Sequence, residues 1–226
     1  MNPMATEANA PTESSIAAAK SNVFLVDDDA SVRRAMARLI KSAGHHVQTF
    51  ASAREFLDTK TGSEEAGCLV LDVRMPGLSG LDLQRELQTT NRNLPIVFIT
   101  GHGDIPMSVN AMKAGAVDFL PKPVKDTVLL RAIEQATTRA FRDRKARQEV
   151  AEVQQRVKTL TARESDVMPL VASGLPNKMI AFKLGIVEKT IKVHRARIMR
   201  KMQVQSLADL VRLVEKLKIA RKPNEK

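Results

Sequence analysis

Five side chains able to handle a hard cation or a phosphoryl group each stand at the end of a short apolar run. Asp27 and Asp28 follow NVFLV, Asp72 follows CLVL, Thr100 closes PIVFIT, and Lys122 comes just past VDFL. A carboxylate at the end of a buried strand lies in the mouth of a sheet, and in open parallel α/β sheets ligands bind in that crevice. Three carboxylates gathered there repel one another unless a cation lies between them. With oxygen donors only, Mg²⁺ suits the set better than Zn²⁺, which favours His and Cys. Asp72 is then a credible nucleophile towards phosphorus, since the metal and the Lys122 ammonium can stabilise the oxygens of a transferring phosphoryl group.

The elements that would place these groups are legible from periodicity. Residues 22–26, 69–72 and 95–100 read as strands buried on both faces, 117–120 as a fifth strand, and 46–50 as an edge strand. Val32, Ala35, Met36, Leu39 and Ile40 recur at helical spacing, and Gly44 is placed to stop that helix. Shorter helices are expected over 52–57, 81–87 and 107–113, with a loop at TGSEEAG and a longer helix from Asp126. Five strands alternating with helices predict a doubly wound parallel α/β sheet over residues 21–140.

Beyond that point the composition changes. Residues 1–125 carry 13 Lys and Arg against 14 Asp and Glu, and residues 126–226 carry 23 against 11, so the whole net charge of +11 lies in the second half. Such asymmetry marks a footprint for a polyanion. The chain has no Trp and no Tyr, which removes stacking platforms for single-stranded bases. Residues 141–157 read as a charged helical linker, in which Val150, Val153, Val157 and Leu160 are spaced either as a short coiled-coil seam or as part of a plain solvated helix. TARE (161–164) and SLAD (206–209) are capping boxes, and Gly174 and Gly185 are placed to end helices. Residues 158–222 therefore read as an all-α unit of four short helices.

The third of these helices, about 188–202, has two faces. Ile191, His194, Ile198 and Met202 point one way, and Lys189, Lys192, Val193, Ala196 and Arg200 the other. A basic face with small and apolar side chains is what a recognition helix in the major groove requires. Met168, Met179, Met199 and Met202 read as core filler. His45, His46 and His102 read as surface or loop residues. The single cysteine, Cys68, lies in an apolar run, so no disulfide framework is possible and a reducing compartment is expected. Residues 1–20 read as a disordered extension with no leader pattern, no apolar run is long enough to span a membrane, and a cytoplasmic location follows.

VDDD, LDVRMPGLSG, ITGHGD and AMKAGAVDFLPKP, with the helix spacing between them, resemble the flavodoxin-like receiver domain of two-component response regulators over about residues 21–140. The resemblance implies that Asp72 accepts a phosphoryl group from a sensor histidine kinase. It further implies that Asp27, Asp28, Asp72 and the backbone carbonyl of Arg74 hold Mg²⁺, that Thr100 and Lys122 contact the phosphoryl oxygens, and that the Lys122–Pro123 bond is cis. Phe119 takes the place of the aromatic that, with Thr100, switches on activation; many receivers have Tyr there, so a switch at Phe119 would rest on packing alone.

LTxRE, NKMIA followed by LGI, and KTIKVHR resemble the LuxR type of helix-turn-helix over about residues 158–222. By that resemblance Lys192, Val193 and Ala196 lie nearest the bases of duplex DNA, and Asn177, Lys178, Lys189, Thr190, Arg195 and Arg197 approach phosphates. The fourth helix would serve dimerisation through exposed positions between Ser206 and Lys218. Together the halves resemble the NarL/FixJ class of response regulators, closest to the FixJ side. The resemblance implies a transcription regulator that forms a homodimer on phosphorylation, can engage RNA polymerase, and is no enzyme beyond at most an autophosphatase. Departures are Val187 and Pro176, where caps are usual, and Pro169 inside the first helix of the unit. Two rival readings share these residues: a metal-dependent phosphohydrolase with an aspartyl-phosphate intermediate, and an RNA-binding antiterminator.

Overall fold

In the computed structural model the described residues are 21–59, 67–90, 92, 94–101 and 105–221. The expected N-terminal extension at 1–20, most of the TGSEEAG loop and His102 lie outside them. Among the described residues the chain divides between Arg144 and Lys145 into two compact units.

The first unit holds a five-stranded sheet, β1 (Asn22–Val26), β2 (His46–Phe50), β3 (Gly67–Asp72), β4 (Ile96–Thr100) and β5 (Asp118–Pro121). All pairs are parallel and the order is β2-β1-β3-β4-β5, so β2 is an edge strand as its half-exposed pattern indicated. Side chains alternate between two apolar layers, because successive residues of a strand point to opposite faces. Phe24, Val26, Leu69, Leu71 and Phe98 face one way, towards α2 (Ala53–Asp58), α3 (Gly80–Thr89) and α4 (Ile105–Lys113). Val23, Leu25, Cys68, Val70, Val97 and Ile99 face the other, towards α1 (Ala30–Ser42) and the first half of α5 (Asp126–Lys158) through Ile40, Leu129 and Ile133. Each such fully buried Leu, Ile or Phe stabilises the unit by roughly 1.5–3 kcal/mol. The expected doubly wound class is the one observed.

Local chemistry fixes the helix starts. Asp29 caps α1, its Oδ1 accepting from Ser31 N–H at 2.7 Å and Val32 N–H at 3.2 Å. Ser52 caps α2 and Ser79 caps α3. α4 begins two residues earlier than the spacing suggested, with Pro106 in its first turn, where a missing N–H costs nothing. At the start of α3, Gly80 packs so tightly on β3 that a Cβ would collide with the backbone carbonyl of Asp72, while Gly80 N–H donates to Val73 O at 3.0 Å.

The second unit contains the end of α5, then α6 (Ala162–Ala172), α7 (Asn177–Leu184), α8 (Glu188–Lys201) and α9 (Leu207–Arg221). Its core is built from Val167, Val171, Ile180, Ile191, Ile198, Met202 and Leu210. Val153 is also part of it, at 4% exposure, with Val157 and Leu160 packed alongside. Val153, Val157 and Leu160, spaced like a coiled-coil seam, are thus spent on this core, which is neither of the roles their spacing suggested. Both capping boxes form: Thr161 with Glu164, and Ser206 with Asp209. Val187 and Pro176 make no side-chain cap, and α6 continues through Pro169. Gly185 ends α7 at φ 65°, a left-handed conformation that glycine adopts without cost. Met168 and Met202 are buried, but Met179 is 47% exposed, so it is not core filler. No described helix is long and apolar enough to cross a membrane.

Candidate functional site

The strand order reverses direction between β1 and β3, and ligand crevices form at such a switch point. Asp27 follows β1 directly and Asp72 ends β3, so the topology alone brings them together. Both are buried, at 1% and 6% exposure, whereas Asp28 faces solvent. Carboxylate oxygens of Asp27, Asp28 and Asp72 lie within 4.8 Å of one another. Asp29, the last of the acidic run, is turned away to cap α1.

The two buried carboxylates are held alike. Asp27 Oδ1 accepts from Asp29 N–H at 2.9 Å, and Asp72 Oδ1 accepts from Arg74 N–H at 3.1 Å. The Oδ2 atoms turn to one cation: Lys122 Nζ donates to Asp27 at 2.7 Å and to Asp72 at 2.5 Å. Lys122 is positioned by the end of β5, its backbone N–H donating to Thr100 O at 2.7 Å, and by the cis peptide to Pro123. Thr100, fully buried, ends β4 next to Pro121 in register. Arg33 closes the rim, donating to the backbone carbonyl of Asp27 at 2.6 Å. The Arg74 side chain is exposed. Phe119 is half-buried, its ring centroid 6.0 Å from that of Phe98 on β4.

Burial lifts the Asp27 carboxyl above the usual carboxylate range, against the lowering effect of the Lys122 hydrogen bond. Burial by itself would lower Lys122, but its hydrogen bonds to Asp27 and Asp72 prevail and raise it. The ammonium therefore stays charged and sits where a cation is required. Three carboxylates converging with hard oxygen donors fit a divalent cation such as Mg²⁺ and offer nothing to a soft metal.

In the second unit, α8 is divided as expected. Ile191 and Ile198 are buried; Lys189, Lys192, Val193, Ala196, Arg197 and Arg200 are exposed. Thr190 and Arg195 are half-buried, and Arg195 Nη1 donates to Asn177 Oδ1 at 3.4 Å, which links α8 to the start of α7. Lys178 is exposed beside Asn177. His194 lies half-buried on the inward side.

Three tethers between helices of the second unit escaped sequence reasoning. Lys201 Nζ donates to Glu164 at 2.6 Å and to Thr159 O at 2.8 Å, pinning the end of α8 to the start of α6. That bond, then the Thr161 N–H, holds the Glu164 carboxyl down to about 2. Arg156 Nη1 on α5 donates to Met202 O at 3.2 Å, just past α8, and Lys216 on α9 pairs with Glu149 on α5. The capping box announced Glu164, but nothing local announced its second partner or the pairings of Arg156 and Glu149.

Residues 23–134 match the family described as response regulator receiver domain, and residues 158–214 match bacterial regulatory proteins of the luxR family. The chain is similar to nodulation protein W of Bradyrhizobium diazoefficiens, 52% identical over 204 residues, or 90% of this chain and 89% of that protein. The transcriptional regulatory protein FixJ of the same species is 44% identical over 194 residues, or 86% and 94% of the two chains. The solved structure of the response regulator StyR matches with a TM-score of 0.77 at 53% identity, covering 88% of this chain and all of that one.

Proposed function

Since the chain belongs to the response regulators that join a receiver domain to a luxR-type helix-turn-helix, we propose that it is a DNA-binding transcription regulator controlled by phosphorylation of Asp72. The observation that carries this reading is the pairing of a buried carboxylate at a strand end with the Lys122 ammonium at 2.5 Å. Asp72 accepts the phosphoryl group from a sensor histidine kinase, a carboxylate oxygen forming the new bond to phosphorus as the bond from the kinase's histidine nitrogen breaks. Lys122, already charged and aimed at Asp72, balances the negative oxygens, and Thr100 at the neighbouring strand end contacts them. Asp27, Asp28, Asp72 and the Arg74 carbonyl hold Mg²⁺, which when bound supplies further charge neutralisation at the transferring group.

Residues 21–140 are the receiver, 141–157 the helical linker and 158–222 the output unit. The modified pocket shifts an equilibrium in which Thr100 and Phe119 repack, and a few kcal/mol of differential interaction suffices for this. The favoured state forms a homodimer, binds duplex DNA through α8, and engages RNA polymerase there. Lys192, Val193 and Ala196 read bases; Asn177, Lys178, Lys189, Thr190, Arg195 and Arg197 face phosphates. The protein works in the cytoplasm and is no enzyme beyond loss of its own phosphoryl group.

A phosphohydrolase would need an acid/base near Asp72, yet two residues on stands Arg74, exposed. An RNA-binding output would want aromatic stacking platforms, and the chain has no Tyr or Trp. Footprinting on genomic DNA with and without a small phosphodonor tests the proposal. Protected sites that strengthen with the donor are expected; binding indifferent to the donor in wild type would remove phosphorylation from the scheme.

A further inference from the structure

Arg33, Arg34 and Arg38 all stand on α1, and the fold treats the first of them differently. Arg34 and Arg38 are exposed, whereas Arg33 is half-buried. Arg33 Nη1 donates to Asp27 O at 2.6 Å and to Asp28 O at 3.3 Å. Those two carbonyls belong to neither the sheet nor the helix. β1 ends at Val26, and α1 opens with Arg33 N–H donating to Asp29 O at 2.9 Å. Among the described residues no backbone N–H donates to Asp27 O or Asp28 O. A carbonyl outside both ladders needs a partner of its own, and here one nitrogen serves two.

The carbonyls of residues 27 and 28 belong to the two peptide planes that flank the Asp28 Cα. Holding both planes fixes the direction in which the Asp28 side chain leaves the backbone. Asp27 and Asp72 have other anchors, each accepting from a backbone N–H and from Lys122. Asp28 is exposed, so the backbone beneath it is what aims its carboxylate at the other two, within 4.8 Å of them. Charge alone would act in the opposite sense. A guanidinium beside three carboxylates repels an incoming divalent cation, so its removal would tighten binding if Coulomb repulsion were its whole effect. Partners that orient ligands from outside the ligand set have the other sign and are typically worth 10–100-fold in metal affinity.

We propose that Arg33 is a positioning residue for the cation site: its guanidinium holds the peptide planes on either side of Asp28, so that the Asp28 carboxylate joins those of Asp27 and Asp72 in one ligand set. The inference rests on the reading of the pocket as a Mg²⁺ site and adds to it a residue outside that set.

The test titrates Mg²⁺ into the isotope-labelled, metal-free full-length chain and follows the amide resonances of the turn between β1 and α1. Arg33→Met keeps an unbranched stem but removes donor and charge, and it should weaken Mg²⁺ binding roughly 10-fold or more. Arg34→Met removes the same charge from the next, exposed position and should leave the affinity within about 2-fold. An Arg33→Met chain that binds Mg²⁺ as tightly as wild type, or more tightly, overturns the clamp, and so does an equal loss in Arg34→Met. Should Arg33→Met not fold, Arg33→Lys takes its place. It keeps the charge on a shorter stem that cannot span both carbonyls, so a loss of roughly 3-fold or more is expected, and wild-type affinity overturns the clamp. A wild-type chain whose turn resonances do not respond to Mg²⁺ overturns the reading of the pocket as a cation site, and the clamp with it.

Discussion

Lys122 holds its ammonium 2.5 Å from Asp72 Oδ2, across 50 residues of chain and three strands of sheet order, and it touches Asp27 with the same nitrogen. Removing it leaves two buried carboxylates facing each other with no charge between them. Lys122→Met should therefore destabilise the first unit by about 1–3 kcal/mol at neutral pH without divalent cation, and Mg²⁺ should restore more stability to the variant than to wild type. Thermal unfolding with and without Mg²⁺ measures this; equal Mg²⁺ shifts in the two proteins would mean that the lysine and the metal do not share the pocket.

Asp27 behaves in the opposite sense. Burial raises its carboxyl above the ordinary value of 3.8, so the proton favours the folded chain. The contribution is present below the ordinary value and is lost as pH rises through the folded one. At neutral pH the charged Asp27 is a cost, which Asp27→Asn removes. Without Mg²⁺ the variant should unfold at a temperature higher by a few degrees, and its affinity for Mg²⁺ should fall roughly 10-fold or more. A lower unfolding temperature at neutral pH would show that the Lys122 pairing outweighs the burial.

Glu164 gives the second unit a dependence of the other sign. Its carboxyl is held down to about 2 from an ordinary 4.5, so its stabilisation is complete above the ordinary value and disappears as pH falls towards the folded one. Glu164→Gln should cost roughly 1–3 kcal/mol at neutral pH and flatten the acid dependence between those two values. Hydrogen exchange on peptides from α6 and α8 reads this region directly; an unchanged acid profile would remove Glu164 as its source.

Gly80 ties the start of α3 to β3, the strand that ends on Asp72. A methyl group there meets the Asp72 carbonyl, which is backbone and cannot swing aside. Gly80→Ala should lower stability by about 1–3 kcal/mol and slow phosphoryl uptake, because β3 and α3 must separate at Asp72, the proposed acceptor. A stable variant with normal uptake would mean that the turn relaxes freely.

The pocket was largely legible because each of its members ends an apolar run, and a parallel sheet collects such ends at one edge. The Asp27, Asp72, Thr100 and Lys122 positions needed only strand detection. Asp29 differed because an aspartate before a helix serves its own backbone first. The second unit was less legible where long-range pairing decides. Val153 and Val157 show a seam-like spacing that does not name its partner, and the core of the unit takes them. Met179 sits next to Ile180 and Ala181 in an eight-residue helix, too short for periodicity to separate inside from outside. Lys201, Arg156 and Lys216 are ordinary basic residues until the fold sets a carboxylate or a carbonyl before them.

On α8, Lys192, Val193, Ala196 and Arg197 are all exposed, and the proposed docking puts Lys192, beside the small Val193 and Ala196, nearer the bases than Arg197. Lys192→Ala should lose about 1–3 kcal/mol on a footprinted duplex and little on random duplex. Arg197→Ala should weaken both alike and reduce the salt dependence by roughly one counterion. Binding curves at fixed salt distinguish the two; equal losses for Lys192→Ala on both duplexes would make it another phosphate contact.

The phosphoacceptor is tested most directly by the intact mass of the full chain after exposure to a small acyl phosphate and Mg²⁺. Wild type should gain one phosphoryl group, and Asp72→Asn, which keeps the shape of the side chain but lacks the nucleophilic oxygen, should gain none. A comparable gain at a comparable rate in Asp72→Asn would contradict the assignment of Asp72 and, with it, the control of the second unit by this pocket.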